Sequence, residues 1–260
     1  MSNRQMLIAI VITCFMFVGV GNSFAGQLQM HTFELAPEIS YIEYKEPDIM
    51  KEKGWMYGIV GSYTYHHGLM LKAEGRFSYG QVDYSNIYGI TIDNIDDYIL
   101  EFRGLGGYDF PVSQTSFLTL YTGIGYRYLN DDFVYERESN YIYSPVGLKF
   151  IADLKEGWSV GAMGEYDIFW WGRQTSHLSD VLSGLNDVKN RQTGGYGLRG
   201  SVEVQKKLKT VAFAIEPFIR YWNIDQSKIA DVTFDGVKIG EALEPKNRST
   251  EYGINLLVRF

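Results

Sequence analysis

Few side chains in this chain have the types and spacing that catalysis needs. The histidines are His31, His66, His67 and His177, and the one cysteine is Cys14. Thr175-Ser176-His177 offers the hydroxyl and imidazole of a Ser–His hydrolase, but neighbouring residue types are not a geometry. Asp96-Asp97 and Asp131-Asp132 are acidic doublets that read as solvated rim residues. His66 and His67 are adjacent, so on a strand they point to opposite faces and cannot share a metal ion. No other group has metal-ligand spacing, and no glycine-rich phosphate loop is present. The expectation is no catalytic set, no metal and no cofactor.

The residues that do recur at a fixed spacing are charged, and they alternate with apolar ones. Lys72, Glu74 and Arg76 interleave with Leu71, Ala73 and Phe77; Glu101 and Arg103 interleave with Leu100 and Phe102. The same parity selects Arg127, Lys149, Glu165, Asp167, Arg199, Glu203, Glu216, Arg220 and Glu251, with Glu34, Glu38, Asp97 and Arg259 on the same face. Acids and bases nearly balance, often two residues apart on one strand. The chemistry this allows is mutual neutralisation.

Alternation over two-residue periods requires strands. Ten such segments run near 33–45, 53–65, 68–83, 95–110, 115–128, 139–153, 157–171, 194–206, 210–224 and 249–260. A soluble sandwich also alternates, so further features must decide. Tyr and Trp collect near the ends of the apolar faces, where a membrane barrel carries aromatic girdles. Trp158 to Trp170 spans roughly 30 Å at about 3.3 Å per residue and a tilt of about 40°, close to the apolar band of about 25 Å. Ten is an even number, as single-chain outer-membrane barrels require.

The first residues form a separate device. Arg4 is a positive flank, Met6 to Val20 is an apolar run, and Ser23-Phe24-Ala25 supplies small residues for cleavage before Gly26. This pattern predicts a signal peptide over 1–25 and a barrel domain over 26–260. Cys14 sits inside the apolar run and would leave with it, so the mature chain would have no thiol or disulfide. Losing Arg4, the only charge in that segment, takes the formal net charge from −7 to −8. That mild acidity disfavours a nucleic-acid partner. After Gly26 no apolar stretch is long enough for a membrane-spanning helix.

The signal peptide, the ten-strand parity and the closing YGINLLVRF together resemble the small outer-membrane β-barrel proteins of Gram-negative bacteria, a class that includes opacity-type, OmpX-like and porin-family barrels. The resemblance implies an all-β, transmembrane, antiparallel up-and-down barrel in the cell outer membrane, in contact with outer-membrane lipid. It also implies that Tyr252, Ile254, Leu256, Val258 and Phe260 form the signal read by the barrel assembly machinery. Short connections at His66-His67-Gly68, Pro111 to Gln114, Asp153 to Gly157 and Lys206 to Thr210 lie at the periplasmic end, and those after strands one, three, five, seven and nine are generally longer, reaching about 20 residues near 172–192 and 225–247, and are external. A short external helix is expected where Leu178, Val181, Leu182 and Leu185 follow helical spacing after Ser176.

Ten-stranded barrels also resemble the omptin proteases, which set an Asp pair opposite an Asp–His pair at the external rim. Only His177 is on that side, and it has no closely spaced Asp. A barrel this narrow strips water from its interior charges, so they must pair. The expected function is therefore non-enzymatic: a charge-filled, occluded barrel for envelope structure or surface interaction through its external loops. The alternative is a narrow channel for small polar solutes, and a hydrolase comes third.

Overall fold

The computed structural model describes residues 28–132 and 134–260. The expected signal peptide lies outside the described residues. Strands β1 (His31–Glu46), β2 (Met50–His67), β3 (Leu69–Asn86), β4 (Thr91–Pro111), β5 (Ser116–Asp132), β6 (Glu136–Asp153) and β7 (Trp158–Ser176) follow one another as antiparallel neighbours. The eighth stave is split into β8 (Val188–Gln192) and β9 (Gly195–Lys207), which pair with successive halves of β7. Next come β10 (Ala212–Ile224), a separate hairpin of β11 (Ala230–Phe234) and β12 (Val237–Ala242), and β13 (Asn247–Arg259). β13 pairs with both β10 and β1, which closes the ring at ten strands.

Closure follows from the sequence pattern. An edge strand would leave a row of unpaired backbone groups in hydrocarbon, and joining the first strand to the last removes both edges. The seam is tied at its end by Phe33 and Phe260, which exchange backbone hydrogen bonds at 3.3 and 3.0 Å. The outward face carries Phe33, Leu35, Ile39, Phe102, Val202, Ile215, Tyr252, Ile254 and Leu256, all large and exposed. On a protein in water, such a continuous apolar surface would aggregate; in a bilayer it is solvated.

Two features depart from the sequence expectation. The connections after β1, β3 and β5 are short turns (47–49, 87–90, 133–135), because these strands continue several residues past the apolar band. Only the two connections expected to be longest, after β7 and β10, are long. The expected external helix is a single 3-10 turn, Leu178–Asp180, with no side-chain cap, and Ser176 ends β7 instead. Tertiary pairing wins over helical spacing here: Leu185 bridges to Phe234 and Asn186 takes backbone partners at Thr233 and Asp231, so the segment is drawn onto the β11–β12 hairpin. Val181 and Leu182 are left exposed.

Inward-facing glycines make room for aromatic rings on the neighbouring strand. A Cβ on Gly125 would fall within the Tyr143 ring, and one on Gly147 within the Tyr121 ring. Both tyrosines are buried in the lumen. Here glycine is required for space rather than for backbone conformation.

Candidate functional site: the lumen seal

The lumen is organised in tiers. At the end carrying Leu28 and Phe260 lies a cavity of about 760 Å³, lined by residues such as Thr64, Met70, Tyr121, Ser159, Ala212 and Leu257. Charged residues surround its deeper part. Lys72 reaches Glu74 at 2.8 Å and Glu34 at 3.5 Å; Lys149 reaches Glu203 at 3.3 Å; Arg259 bridges Glu34 and Glu203. Glu216 is held without a cation, by Ser201 at 2.6 Å and Asn255 at 3.2 Å.

Further in, the charges fuse into a buried belt. Arg76 bonds Glu38 at 2.7 Å and also Glu251, and Arg220 bonds the same two carboxylates at 2.8 and 3.4 Å. Arg103 joins Glu74 at 3.0 Å and Glu165. Arg199 lies at the centre, with Asp167 at 2.8 Å, Glu165 at 3.1 Å and Glu101 at 3.0 Å. The Tyr143 hydroxyl accepts from Arg199 at 3.0 Å and donates to Glu101 at 2.6 Å. These contacts reach across the lumen from β3 to β1 and β13 and from β4 to β7 and β9. At such short spacing in a water-poor interior, paired charges take the place of each other's lost hydration.

Arg127 is the exception among the basic residues singled out by parity. It is buried, meets no carboxylate within ion-pair distance among the described residues, and lies over the Trp222 ring at 5.4 Å. Cation–π attraction and the nearby carboxylates of the belt stand in for a direct partner.

Beyond the belt the lumen holds two buried apolar clusters, alongside the buried polar residue Glu52. Ile42, Met56, Val82, Ile95 and Ile99 form one buried cluster; Tyr141, Tyr143, Phe169, Trp222 and Ile224 form another. Leu129 packs against both, so the two clusters meet across the interior. Tyr143 and Trp222 are in edge contact at 5.0 Å, and Tyr141 and Phe169 at 5.4 Å. The lumen is thus filled by charge in its middle and by hydrocarbon in its loop-side half, where the sequence expectation had charge alone.

A polar clasp covers the loop end. Arg137 binds Glu46 at 3.1 Å, Glu244 at 3.0 Å and Asp131 at 3.7 Å, and the Tyr44 hydroxyl lies 3.2 and 3.3 Å from the same Glu46 and Glu244. Glu244 belongs to the connection between β12 and β13, so the clasp pins the long loop over the mouth. Asn190 adds two bonds of 3.0 Å to backbone oxygens of Lys228 and Ala242 in that loop. Burial pushes the Glu244 carboxyl up to about 7, with Glu46 adding to the rise and Arg137 opposing it. Neither Arg137 nor Glu244 was selected from the sequence. Arg137 shares the parity of Tyr141 and Lys149, and extending β6 by two residues would have found it.

The chain is not matched by any protein-family model or by any curated protein. Among solved structures, the outer membrane protease OmpT from Escherichia coli is similar over 92% of this chain and 98% of its own, with a TM-score of 0.63 and 8% identity. The fold is that of a Gram-negative outer-membrane β-barrel. The transport unit of the autotransporter AIDA-I from Escherichia coli is also similar (98% of each chain, TM-score 0.44, 11% identity), as is Neisserial surface protein A (87% of this chain, 95% of that one, TM-score 0.36, 12% identity).

On this barrel the histidines stand apart. His66 is tied to Asp109 at 2.7 Å near the terminal end, and His31 to the Tyr63 hydroxyl at 2.8 Å. His177 does acquire an acidic partner, which is ten residues away in sequence: Nδ1 lies 3.1 Å from Asp187, while Nε2 lies 3.5 Å from Glu138. Ser179 donates to the same Asp187 at 2.7 Å rather than facing the imidazole. Both ring nitrogens are directed at carboxylates, and Nε2 is shielded from solvent. The arrangement fastens the β7–β8 connection to β6.

This fastening has a predictable pH dependence. Burial lowers the His177 pKa, but hydrogen bonds and charge from Asp187 and Glu138 outweigh it and leave the value above normal. A raised folded-state value means that the stabilisation is complete below about pH 6.5, the unfolded value, and is lost as pH rises through the folded one. Glu244, also raised, acts in the same direction as pH climbs through about 7. The His177 ring protons should titrate by NMR with a midpoint above 6.5, and Asp187→Asn should bring that midpoint down. An unshifted midpoint would remove the fastening role.

Proposed function

We propose that this protein is a non-enzymatic, closed outer-membrane barrel that contributes to envelope structure and offers its loop end to the cell surface. The observation that carries this reading is the continuous apolar plug joined through Leu129, backed on one side by the Arg199 belt and on the other by the Arg137 clasp. A solute entering the 760 Å³ cavity from the terminal end meets paired charges first and packed side chains behind them. Opening a path would require breaking ion pairs in low dielectric and unpacking aromatic rings, a cost too large for gating by thermal motion alone.

The likeness to OmpT is one of fold at 8% identity. A peptidase reading needs an imidazole able to reach water or substrate. His177 has its Nδ1 held by Asp187 and its Nε2 shielded from solvent 3.5 Å from Glu138, which supports the non-enzymatic reading instead. Liposomes carrying the refolded chain should swell in small sugars and amino acids no faster than protein-free liposomes. Swelling that depends on solute size would replace the closed barrel with the narrow-channel alternative.

A further inference from the structure

The 760 Å³ cavity opens at one end of the barrel and has the size of a small-molecule pocket. Its charges are unevenly matched. Among the carboxylates that line it, Glu34, Glu74 and Glu203 each have a lysine or arginine within 3.5 Å. Glu216 on β10 lines the same cavity, half-buried, and has no cation within ion-pair distance among the described residues. Its oxygens take only the neutral donors Ser201 and Asn255. An ionised carboxylate offers about four acceptor sites, so roughly half of this one is unused.

The shortage of donors extends to its neighbour. Asn255 on β13 stands directly opposite Glu216 and, on its other side, directly opposite Glu38 of β1. Asn255 is 5% exposed; its Nδ2 goes to Glu216, and its Oδ1 is buried without a donor. The inward-facing arginines of the same two strands are committed elsewhere, Arg220 to Glu38 and Glu251, and Arg259 to Glu34 and Glu203. This corner of the lumen is built from acceptors and lacks a positive donor.

One step closer to the mouth, the wall is apolar. Ala214 lies directly opposite Leu257, and with Ala36 they form a buried cluster on which Val60 packs. Two alanines at inward positions leave room along this wall for a slim hydrocarbon chain. Farther out, the exposed Lys207 and Lys209 line the mouth, so a second positive charge on the ligand would meet like charge there.

We propose that the cavity binds an aliphatic primary amine, with its ammonium on Glu216 and its hydrocarbon stem along Ala36, Ala214 and Leu257. The ammonium carries three donors and no acceptor, which complements the free lone pairs of the carboxylate. A charge-assisted bond in a pocket of limited water access is stronger than one between neutral groups. The stem gains by leaving water for the apolar wall.

The test is calorimetric titration of the refolded chain in lipid nanodiscs near neutral pH, with empty nanodiscs as the blank. The ligands are n-butylamine, n-butanol, butyrate and 1,4-diaminobutane. Saturable binding of butylamine at one site is expected, with butanol and butyrate weaker by about tenfold or more. Glu216→Gln should weaken butylamine by a similar factor while the barrel keeps its heat-modifiable migration. Ala214→Leu, which fills the stem's place and leaves the carboxylate intact, should weaken it as well. Absence of saturable binding, equal binding of butanol, or undiminished binding by either folded variant would overturn the site. Diaminobutane binding as tightly as butylamine would overturn the apolar stem. The titration does not depend on conductance, so a barrel found to pass ions would end the closed reading and leave the amine site standing.

Discussion

Arg199→Leu is expected to destabilise the barrel by about 3–5 kcal/mol, the largest effect of any single substitution considered. The leucine removes the cation shared by Glu101, Glu165 and Asp167, and it takes away a donor to the Tyr143 hydroxyl. Three carboxylates then face one another in a space with little water, and Arg103 and Arg127 are too few and too committed to neutralise them. The loss should appear as a lower urea midpoint for unfolding from detergent micelles or bilayers. Glu101→Gln/Asp167→Asn in the Arg199→Leu background should recover a large part of it, since those changes remove the uncompensated charge rather than the packing. A single Arg199→Leu variant as stable as the parent would mean that the belt carries little of the fold's energy.

Deleting Phe260 is expected to have the opposite profile: a small cost to a barrel already folded, and a large one to its assembly in cells. The ring is exposed on the outward face, and the residue contributes two backbone hydrogen bonds to Phe33 at the seam. At about 1 kcal/mol each, those bonds change the refolded protein only modestly. The resemblance to outer-membrane barrels implies that in cells the closing strand, with Tyr252, Ile254, Leu256, Val258 and Phe260 on one face, is engaged by the assembly machinery before the seam exists. The amount of heat-modifiable barrel in outer-membrane fractions should fall more than tenfold, while the same variant refolds in detergent with a nearly unchanged urea midpoint. Normal membrane levels of the deletion variant would remove the terminal residue from the assembly signal.

How much of this could be read in advance follows from where the surroundings act on the chain. Inside the bilayer the two faces of a strand see hydrocarbon and a paired lumen, so Leu71/Lys72/Ala73/Glu74 and Leu198/Arg199 alternate sharply and their faces were legible. Above the bilayer both faces see water. The contrast fades there, which is why the alternation does not extend through the upper parts of β1, β2 and β6 to Glu46 and Arg137. The apolar plug was missed for a different reason: Met56, Ile99, Phe169 and Trp222 face inward, but by type they match the residues that face lipid. The register shift between Ile142 and Tyr143, opposite the Trp170-Trp171 step, also breaks simple parity at that level. His177 and Asp187 meet only because the intervening residues fold back onto the β11–β12 hairpin, and no local spacing encodes that.

The central claim, a lumen closed by its plug, belt and clasp, is tested most directly by electrical recording from the refolded chain in planar bilayers. The expected result is a flat trace at moderate voltage. Trp222→Ala/Leu129→Ala/Arg199→Gln, which thins the plug and weakens the belt together, should give discrete conductance steps if the variant still folds by the gel-shift criterion. Reproducible steps from the unmodified chain, altered by Glu101→Gln or Arg199→Gln, would show that ions already pass along the charged belt and would contradict the closed barrel.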